Sequence, residues 1–277
     1  MDFIETWKIP LGKWMESGVD YLNDHAAWFF NLVSDILGGA IDGLIDGLQW
    51  LPPLVLVLLC AAGGYALHRS WKLALGIFLA LLLIINLGYW EETVETLALV
   101  VSATALCMII GLPVGIAAAH RPWLYAVLRP VLDLMQTIPT FVYLIPTLIL
   151  FGLGVVPGLI STIIFALPAP IRLTHLGISN VPQPLIEAGE AFGATRRQLL
   201  FKVELPHAMP TIMAGLTQCI MLSLSMVVIA ALVGAGGLGK PVVRALNTVN
   251  IANGFEAGLA IVILAILLDR VCKRPEP

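Results

Sequence analysis

The chain has 277 residues, of which 59% are hydrophobic and only 12% are charged, and its formal net charge is −3. A soluble domain has about 45–50% apolar and about 25% charged residues, so this composition excludes a soluble globular protein and predicts a polytopic membrane protein. Its four cysteines, Cys60, Cys107, Cys219 and Cys272, are far apart, with no metal-binding or disulfide spacing. We interpret them as small apolar packing residues.

The first 50 residues form a separate region. They carry eight acidic residues and two lysines, the opposite of the basic start of a cleavable signal peptide. Apolar side chains recur at helical spacing at Ile36, Leu37, Ala40, Ile41, Leu44, Ile45 and Leu48. Interfacial anchors are supplied by Trp7, Trp14, Trp28 and Trp50. We predict an extracytoplasmic amphipathic region, residues 1–50, that serves as a surface anchor or, alternatively, in gating or sensing.

Seven stretches are apolar over about the length of a spanning helix. They run from Leu51 to Leu67, Leu73 to Tyr89, Val94 to Ala119, Ile138 to Val156, Leu159 to Thr174, Met209 to Gly234, and Phe255 to Leu268. The fourth can begin as early as Leu124, and we expect Pro168 and Pro170 to interrupt the fifth. We predict two peripheral spans in residues 51–90 and a core membrane domain in residues 91–271.

The distribution of Lys and Arg predicts the orientation. With the N-terminus outside and seven alternating spans, the inner side carries Arg69, Lys72, Arg121, Arg129, Arg172, Arg196, Arg197, Lys202, Arg270, Lys273 and Arg274. The outer side carries only Lys8, Lys13, Lys240 and Arg244. Because short cytoplasmic loops carry the excess of basic residues, we predict an outer N-terminus and an inner C-terminus.

A polar segment, EAGEAFGATRRQLLFKVELP, separates two apolar spans at residues 187–206. Its pattern predicts a short helix, a turn and a second helix that face the cytoplasm, within a loop of residues 182–208. Small residues at Ala188, Gly189 and Gly193 leave room for the close approach of a partner backbone. Pro206 turns the chain before the next span.

This spacing resembles the EAA loop of ABC-importer permeases, which reads EAA, three residues, G, nine residues, I, one residue, LP. Gly189 replaces the third residue of that pattern and Val203 replaces Ile. In that family the loop forms the coupling helix that docks in a groove of the cytoplasmic ATPase. The resemblance implies that Glu187, Ala188, Gly189 and Gly193 lie at this contact, with Leu205 and Pro206 shaping its exit.

Four further stretches, which begin at Asp133, Phe165, Met209 and Ser225, look like the permease of glycine betaine/proline importers. The resemblance implies a type I importer fold, a homodimer of permease subunits and an extracytoplasmic binding protein in the bacterial cytoplasmic membrane. It also implies two separate ATPase subunits that bind ATP and Mg. We expect no cofactor, metal, nucleic-acid partner or enzymatic activity on this chain.

Several alternatives remain. The same importer class can carry choline, carnitine, another compatible solute or an amino acid. A secondary transporter or channel would be favoured by intramembrane charges or two similar halves, and we find neither. An intramembrane enzyme lacks a plausible catalytic set of residues, and His120 and His175 near the inner ends of spans are accounted for by solvation.

Two segments are candidates for the transport path. The fourth span is a broken helix with prolines at 139 and 146, and the polar Gln136, Thr137 and Thr140 lead into it. Phe141 and Tyr143 offer ring faces that attract a quaternary ammonium group. We expect Asp133 at the start of this region to pair with Arg129 one helical turn earlier, on the same helix face.

The second segment, residues 234–250, is predicted to form an external gate or to dip into the mouth of the path. It starts with GAGGLGK, which lacks the spacing of a phosphate-binding loop. We expect Lys240 and Arg244 in this segment to contact the binding protein.

Overall fold

The computed structural model describes residues 10–273, so Trp7, Lys8 and Arg274 lie outside it; these described residues are helical and contain no strand. The helices are α1 (Leu11–Gln49), α2 (Pro53–His68), α3 (Trp71–Asn86), α4 (Trp90–His120), α5 (Pro122–Thr137), α6 (Thr140–Phe151), α7 (Val155–Ala166), α8 (Pro168–Ser179), α9 (Gln183–Ala191), α10 (Arg196–Leu199), α11 (Leu205–Ala230), α12 (Gly239–Asn247) and α13 (Ile251–Cys272). A π-helical turn, Leu200–Glu204, joins α10 to α11, and a 3-10 turn, Ala231–Val233, follows α11. The predicted all-α fold is confirmed.

Five helical segments of the described chain are long and apolar enough to cross a membrane. They are Leu11–Gln49, Trp90–His120, Val155–Ser179, Arg196–Val233 and Ile251–Cys272. The α5–α6 pair, which is bent by 95°, gives a sixth if it counts as one span. The first two predicted spans are the 16-residue helices α2 and α3. Every predicted span thus coincides with helix, and α1, which we had not counted, also has the length and composition of a span.

The two proline-containing spans behave differently. At the fourth, Ile138 is extended (φ −64°, ψ 131°) because the following Pro139 disfavours the helical conformation, and the chain bends there. At the fifth, Pro168 occupies the first position of α8, where its missing N–H group costs no hydrogen bond. Leu167 stays helical, and its N–H group donates to the Ile163 carbonyl at 2.9 Å. The prolines therefore mark a junction and do not interrupt this span.

Helices α4, α8 and α11 pack closely because glycines line their contacts. A Cβ atom at Gly115 of α4 would lie 2.6 Å from Thr174 Cβ and 2.8 Å from the carbonyl oxygen of Ile171. A Cβ atom at Gly177 of α8 would lie 3.1 Å from both Ala208 Cβ and the Ala208 carbonyl oxygen. In lipid, where apolar surface gains nothing by leaving the solvent, such close backbone contact is a main source of helix association.

Helix α1 packs its second half on this core. Ile41 is 1% exposed and lies in a cluster with Ala98 and Ala103 of α4 and Leu159 of α7. Leu37 and Ile45 flank it, whereas Ile36 and Leu44 of the predicted apolar stripe are exposed. Closer to the N-terminus, Phe30 meets Phe151 of α6 edge-on at 5.3 Å between ring centroids. Only part of the stripe therefore contacts the chain's own core, and the extracytoplasmic location of residues 1–50 stays a prediction.

The glycine contacts generate a stability prediction. We expect Gly115→Val to lower the stability of the detergent-solubilised protein by about 1–3 kcal/mol, because the new side chain overpacks a closed contact. Gly63→Val in α2 is the matched control, since a Cβ atom there meets nothing within 4 Å. Thermal unfolding followed by fluorescence-detected size exclusion measures both variants. Equal midpoints for the two variants would contradict the packing assignment.

Candidate coupling and translocation site

The polar hairpin, residues 183–204, consists of α9, a tight turn, α10 and the π-helical turn. Helix α9 ends at a left-handed residue, Gly193 (φ +76°), whose N–H group donates to the Glu190 carbonyl at 2.8 Å. Thr195 and Gln198 then form a capping box, in which each side chain accepts from the backbone N–H group of the other residue. The predicted helix, turn and second helix are therefore present, and their ends are capped by local hydrogen bonds.

Gly189 and Gly193 of the hairpin are glycines for different structural reasons. A Cβ atom at Gly189 would lie 2.5 Å from Leu199 Cδ2, so this glycine lets α9 close onto the second arm of its own hairpin. At Gly193 a Cβ atom would meet nothing within 4 Å, and the positive φ is what favours glycine. We predicted that these small residues admit a partner backbone. At Gly189 the close neighbour is instead Leu199 of the same hairpin.

The tip of the hairpin exposes an aromatic side chain that the sequence analysis did not single out. Phe192 is 93% exposed, and Leu185 on the same arm is also exposed. Glu187 and Ala188 are accessible beside them. An apolar side chain held fully in solvent on a rigid turn is a typical anchor for a protein contact. Its signal was available in the sequence as an aromatic residue directly before the turn glycine.

A half-buried polar contact fastens the base of the hairpin to α4. Glu204 at the end of the π-helical turn is buried, and its carboxylate accepts a hydrogen bond from His120 Nε2 at 2.9 Å. The His120 side chain is 45% exposed, as a solvated residue would be, but the sequence analysis missed its contact with Glu204. It was missed because the two residues are 84 positions apart. Since His120 ends α4, the hairpin cannot move without moving or releasing that helix.

A cavity of about 950 Å³ opens beside the hairpin, between the adjacent ends of α2, α11 and α13. Its walls include Pro206 of the motif, Met209, Met213, Thr217 and Gln218 of α11, and Arg270 of α13. His68 at the end of α2 closes one side by donating from Nε2 to the Lys273 carbonyl at 2.7 Å. The cavity joins the motif directly to the buried length of α11, which the sequence analysis had not identified as a path element.

The five path candidates of the sequence analysis lie at the bend between α5 and α6, outside the walls of this cavity. The Tyr143 hydroxyl donates to the Met135 carbonyl at 2.9 Å, and the Thr137 hydroxyl donates to the Leu134 carbonyl at 3.3 Å. Both bonds brace the bend by satisfying carbonyls at the end of α5. Phe141 is exposed, whereas Gln136 and Thr140 are half-buried. Their role in transport stays a prediction.

The acidic residue of α5 has a different partner from the one expected. Asp133 accepts a hydrogen bond from Arg172 Nη2 of α8, whereas we predicted a pair with Arg129. Nearby, Tyr125 of α5 stacks on His175 of α8 at 3.6 Å between ring centroids. Tertiary contacts between these two helices therefore override the local spacing of four residues, and they hold α5 against the core.

At the opposite end of the bundle, the start of α4 holds the glycine-rich loop. The Glu95 carboxylate accepts from the Gly237 N–H group, and the Thr96 hydroxyl accepts from the Leu238 N–H group at 2.8 Å. Gly237 has φ +93° and, like Gly236, faces these side chains too closely for a Cβ atom. The loop N–H groups are thus occupied by the chain's own side chains, and beyond them Lys240 and Arg244 lie exposed on α12.

Comparison with known proteins places this geometry in context. Residues 111–271 match the family model described as "Binding-protein-dependent transport system inner membrane component". The chain is 45% identical to the glycine betaine transport system permease protein OpuAB of Bacillus subtilis, over 95% of this chain and 93% of that one. It is 44% identical to the glycine betaine/carnitine transport permease protein GbuB of Listeria monocytogenes, over 95% and 94% of the two chains.

Two further comparisons extend this result. The glycine betaine/proline betaine transport system permease protein ProW of Escherichia coli is 45% identical, over 95% of this chain and 74% of that one. A solved structure of the methionine ABC transporter MetNI, in an inward-facing conformation, superposes with a TM-score of 0.58 at 28% identity. It covers 65% of this chain and 94% of the matched chain. The predicted type I importer fold is confirmed.

The half-buried contact at the base of the hairpin gives a prediction. We expect Glu204→Ala and His120→Ala each to speed tryptic cleavage at the exposed Arg196–Arg197 site by about fivefold, because a half-exposed hydrogen bond to a carboxylate contributes about 1 kcal/mol against local opening. The cleavage rate of the double variant should equal that of each single variant, since all three lose the same interaction. Glu190→Ala, an exposed change in α9, is the control. Additive effects would contradict the pairing.

Proposed function

The chain belongs to the family of binding-protein-dependent transport system inner membrane components, and we propose that it is the permease of an ATP-driven importer of glycine betaine or related quaternary-amine solutes. The observation that carries this proposal is the polar hairpin, whose capped turn and exposed tip suit docking to a separate ATPase. Three relatives at 44–45% identity are named for glycine betaine transport, which supports the cargo.

The hairpin transmits force in this proposal. Glu187, Ala188 and Phe192 are accessible and would enter the groove of the ATPase, with Gly193 shaping the tip. Leu205 and Pro206 lead directly from the hairpin into α11. Because Glu204 fastens the hairpin to His120, a push at the tip would reach both α4 and α11. When two ATPase subunits bind ATP and Mg and close, the hairpins of two permease copies would approach each other.

We propose that the hairpin end of the bundle is cytoplasmic. Arg196, Arg197 and Lys202 of the hairpin are exposed there, as the excess of basic residues in cytoplasmic loops requires. The C-terminal end of α13 lies at the same end, because Lys273 contacts His68 beside Pro206. The N-terminal region and α12 would then face the extracytoplasmic side, where Lys240 and Arg244 can meet a loaded binding protein.

Two segments are proposed to line the path. Gln136, Thr137, Thr140, Phe141 and Tyr143 surround the sharp bend at α5–α6, where the exposed Phe141 ring can face a quaternary ammonium group. Thr217 and Gln218 of α11 give polar groups without charge at the large cavity. Neither segment offers a buried ion pair to a zwitterion. Selective, tight recognition of the cargo is therefore assigned to the binding protein, and the permease supplies a low-affinity path.

ATP-driven uptake into proteoliposomes tests the proposal. The chain is reconstituted with its cognate ATPase and binding protein, and uptake of radiolabelled glycine betaine is measured. We expect uptake that requires all three parts and ATP. Uptake of choline, carnitine or an amino acid in place of betaine would overturn the assignment of glycine betaine as the cargo but would keep the importer class. Uptake driven by an ion gradient without the ATPase would overturn the class.

A pair of variants isolates the hairpin. We expect Gly193→Trp to abolish ATPase association, because a bulky side chain with unfavourable backbone strain is placed at the tip, while membrane insertion persists. Gly193→Asn is the matched control, since asparagine tolerates the left-handed conformation and adds little bulk. Co-purification of the ATPase with each variant measures the effect. Normal association of the tryptophan variant would contradict the docking assignment.

The opposite end has its own prediction. We expect Lys240→Glu combined with Arg244→Glu to slow association of the loaded binding protein by about tenfold at low ionic strength, because rim charges act mainly on the association rate. Added salt should narrow the difference from wild type. Lys13→Glu, a change on the exposed start of α1, is the control. An unchanged association rate, measured by surface plasmon resonance on nanodiscs, would remove α12 from the docking surface.

A further inference from the structure

A narrow groove of about 420 Å³ runs between α3 and α13, next to the large cavity. Gly76 and Ala80 of α3 and Ile263 and Leu267 of α13 form its apolar walls. A Cβ atom at Gly76 would meet nothing within 4 Å, so the glycine leaves the groove open without being required by helix packing. The groove is therefore an unfilled apolar surface between two helices that we assign to the membrane.

The cationic residues of the groove meet at one end of it. Lys72, Gly76 and Ala80 follow one another at intervals of four residues and share one face of α3. Arg270 lies one turn beyond Leu267 on α13. Because Lys72 stands near the start of α3 and Arg270 near the end of α13, both side chains line the groove at the hairpin end of the bundle. The groove thus has an apolar track and a doubly cationic head.

The charges at this head are uncompensated by the described part of the chain. Asp269, which precedes Arg270 in the sequence, accepts a hydrogen bond from Lys273 Nζ at 2.8 Å. No ion pair joins Lys72 or Arg270 to a carboxylate within residues 10–273. Among the residues that the structure describes, no acidic side chain lines the groove. A ligand with an anionic group attached to a long apolar chain would complement this arrangement.

We propose that the groove binds an anionic glycerophospholipid, with its phosphate between Lys72 and Arg270 and an acyl chain along Gly76 and Ala80. Basic pockets between membrane helices on the cytoplasmic side have the shape and charge for such headgroups. A water-soluble anion would leave the apolar track unfilled. A single lipid molecule fills both the apolar track and the cationic head, and it bridges α3 and α13 across the groove.

The site is placed to influence the hairpin end. Arg270 and Leu73 line both the groove and the large cavity, whose walls also include Pro206. A bound lipid would hold the Arg270 guanidinium toward the groove and keep α3 packed on α13. The lipid is thereby a structural partner of the peripheral helices, in a groove that shares Arg270 and Leu73 with the large cavity.

Native mass spectrometry of the purified full-length chain tests the proposal, with dioleoyl phosphatidylglycerol and dioleoyl phosphatidylcholine as probes. We expect wild type to retain the anionic lipid selectively. The Lys72→Gln and Arg270→Gln double variant should lower its retention by about twenty-fivefold, because each cation near an anionic headgroup contributes roughly fivefold. Phosphatidylcholine retention should not change. An Arg121→Gln and Arg129→Gln double variant, which removes two cations outside the groove, is the control for charge.

The apolar track has an independent test. Gly76→Leu should reduce phosphatidylglycerol retention because it fills the groove, whereas Gly63→Leu, at an equally open glycine of α2, should not. Equal retention by these two leucine variants, or by the Lys72/Arg270 variant and wild type, would overturn the proposal. Displacement of the lipid by inorganic phosphate, or oxidative cross-linking of two copies through Ala80→Cys, would also overturn it, since the first shows a simple anion site and the second a protein contact.

Discussion

The close contact of α4, α8 and α11 is the constraint on which the rest of the molecule depends. Gly115 brings α4 to a distance from α8 that leaves no room for a Cβ atom, and Gly177 makes a tight contact between α8 and α11. In a bilayer, where apolar burial between helices gives little driving force, such contacts take the place of a hydrophobic core. They also fix where the ends of the three helices lie. The polar hairpin enters and leaves through two of these ends, and His120 at the third end holds its base.

The hairpin is rigid for reasons that are local and can be named. Its turn is closed by a left-handed glycine and a capping box, its two arms touch at Gly189 and Leu199, and its base is held by Glu204. The exposed tip at Phe192 therefore has a defined position relative to α4 and α11. A rigid lever with a buried base and an accessible tip is what transmission from a separate motor subunit requires. The MetNI likeness, at a TM-score of 0.58, places the same architecture in an importer.

The sequence alone predicts the elements whose cause is local. Apolar length indicated the helical spans, and the polar interruption with its small residues indicated the hairpin and its family. Prediction from the sequence failed where a contact joins residues that are far apart along the chain. Asp133 pairs with Arg172 of another helix, and His120 pairs with Glu204, which no helical spacing can reveal. Gly189 was correctly singled out, but its neighbour is Leu199 of the same hairpin. The prolines at 168 and 170 were read as an interruption because their position in the first turn of a helix is known only once that helix is placed.

The measurement that tests the account most directly is the distance between the hairpins of two permease copies in the assembly that we propose. Spin labels on Glu190→Cys, at an exposed site beside the tip, are followed by pulsed electron paramagnetic resonance in a background without the native cysteines. The account predicts that the distance shortens when a non-hydrolysable ATP analogue closes the ATPase subunits. It also predicts that Glu204→Ala broadens the distribution. A distance unchanged by nucleotide, in a complex that still transports, would contradict the role of the hairpin as the coupling element.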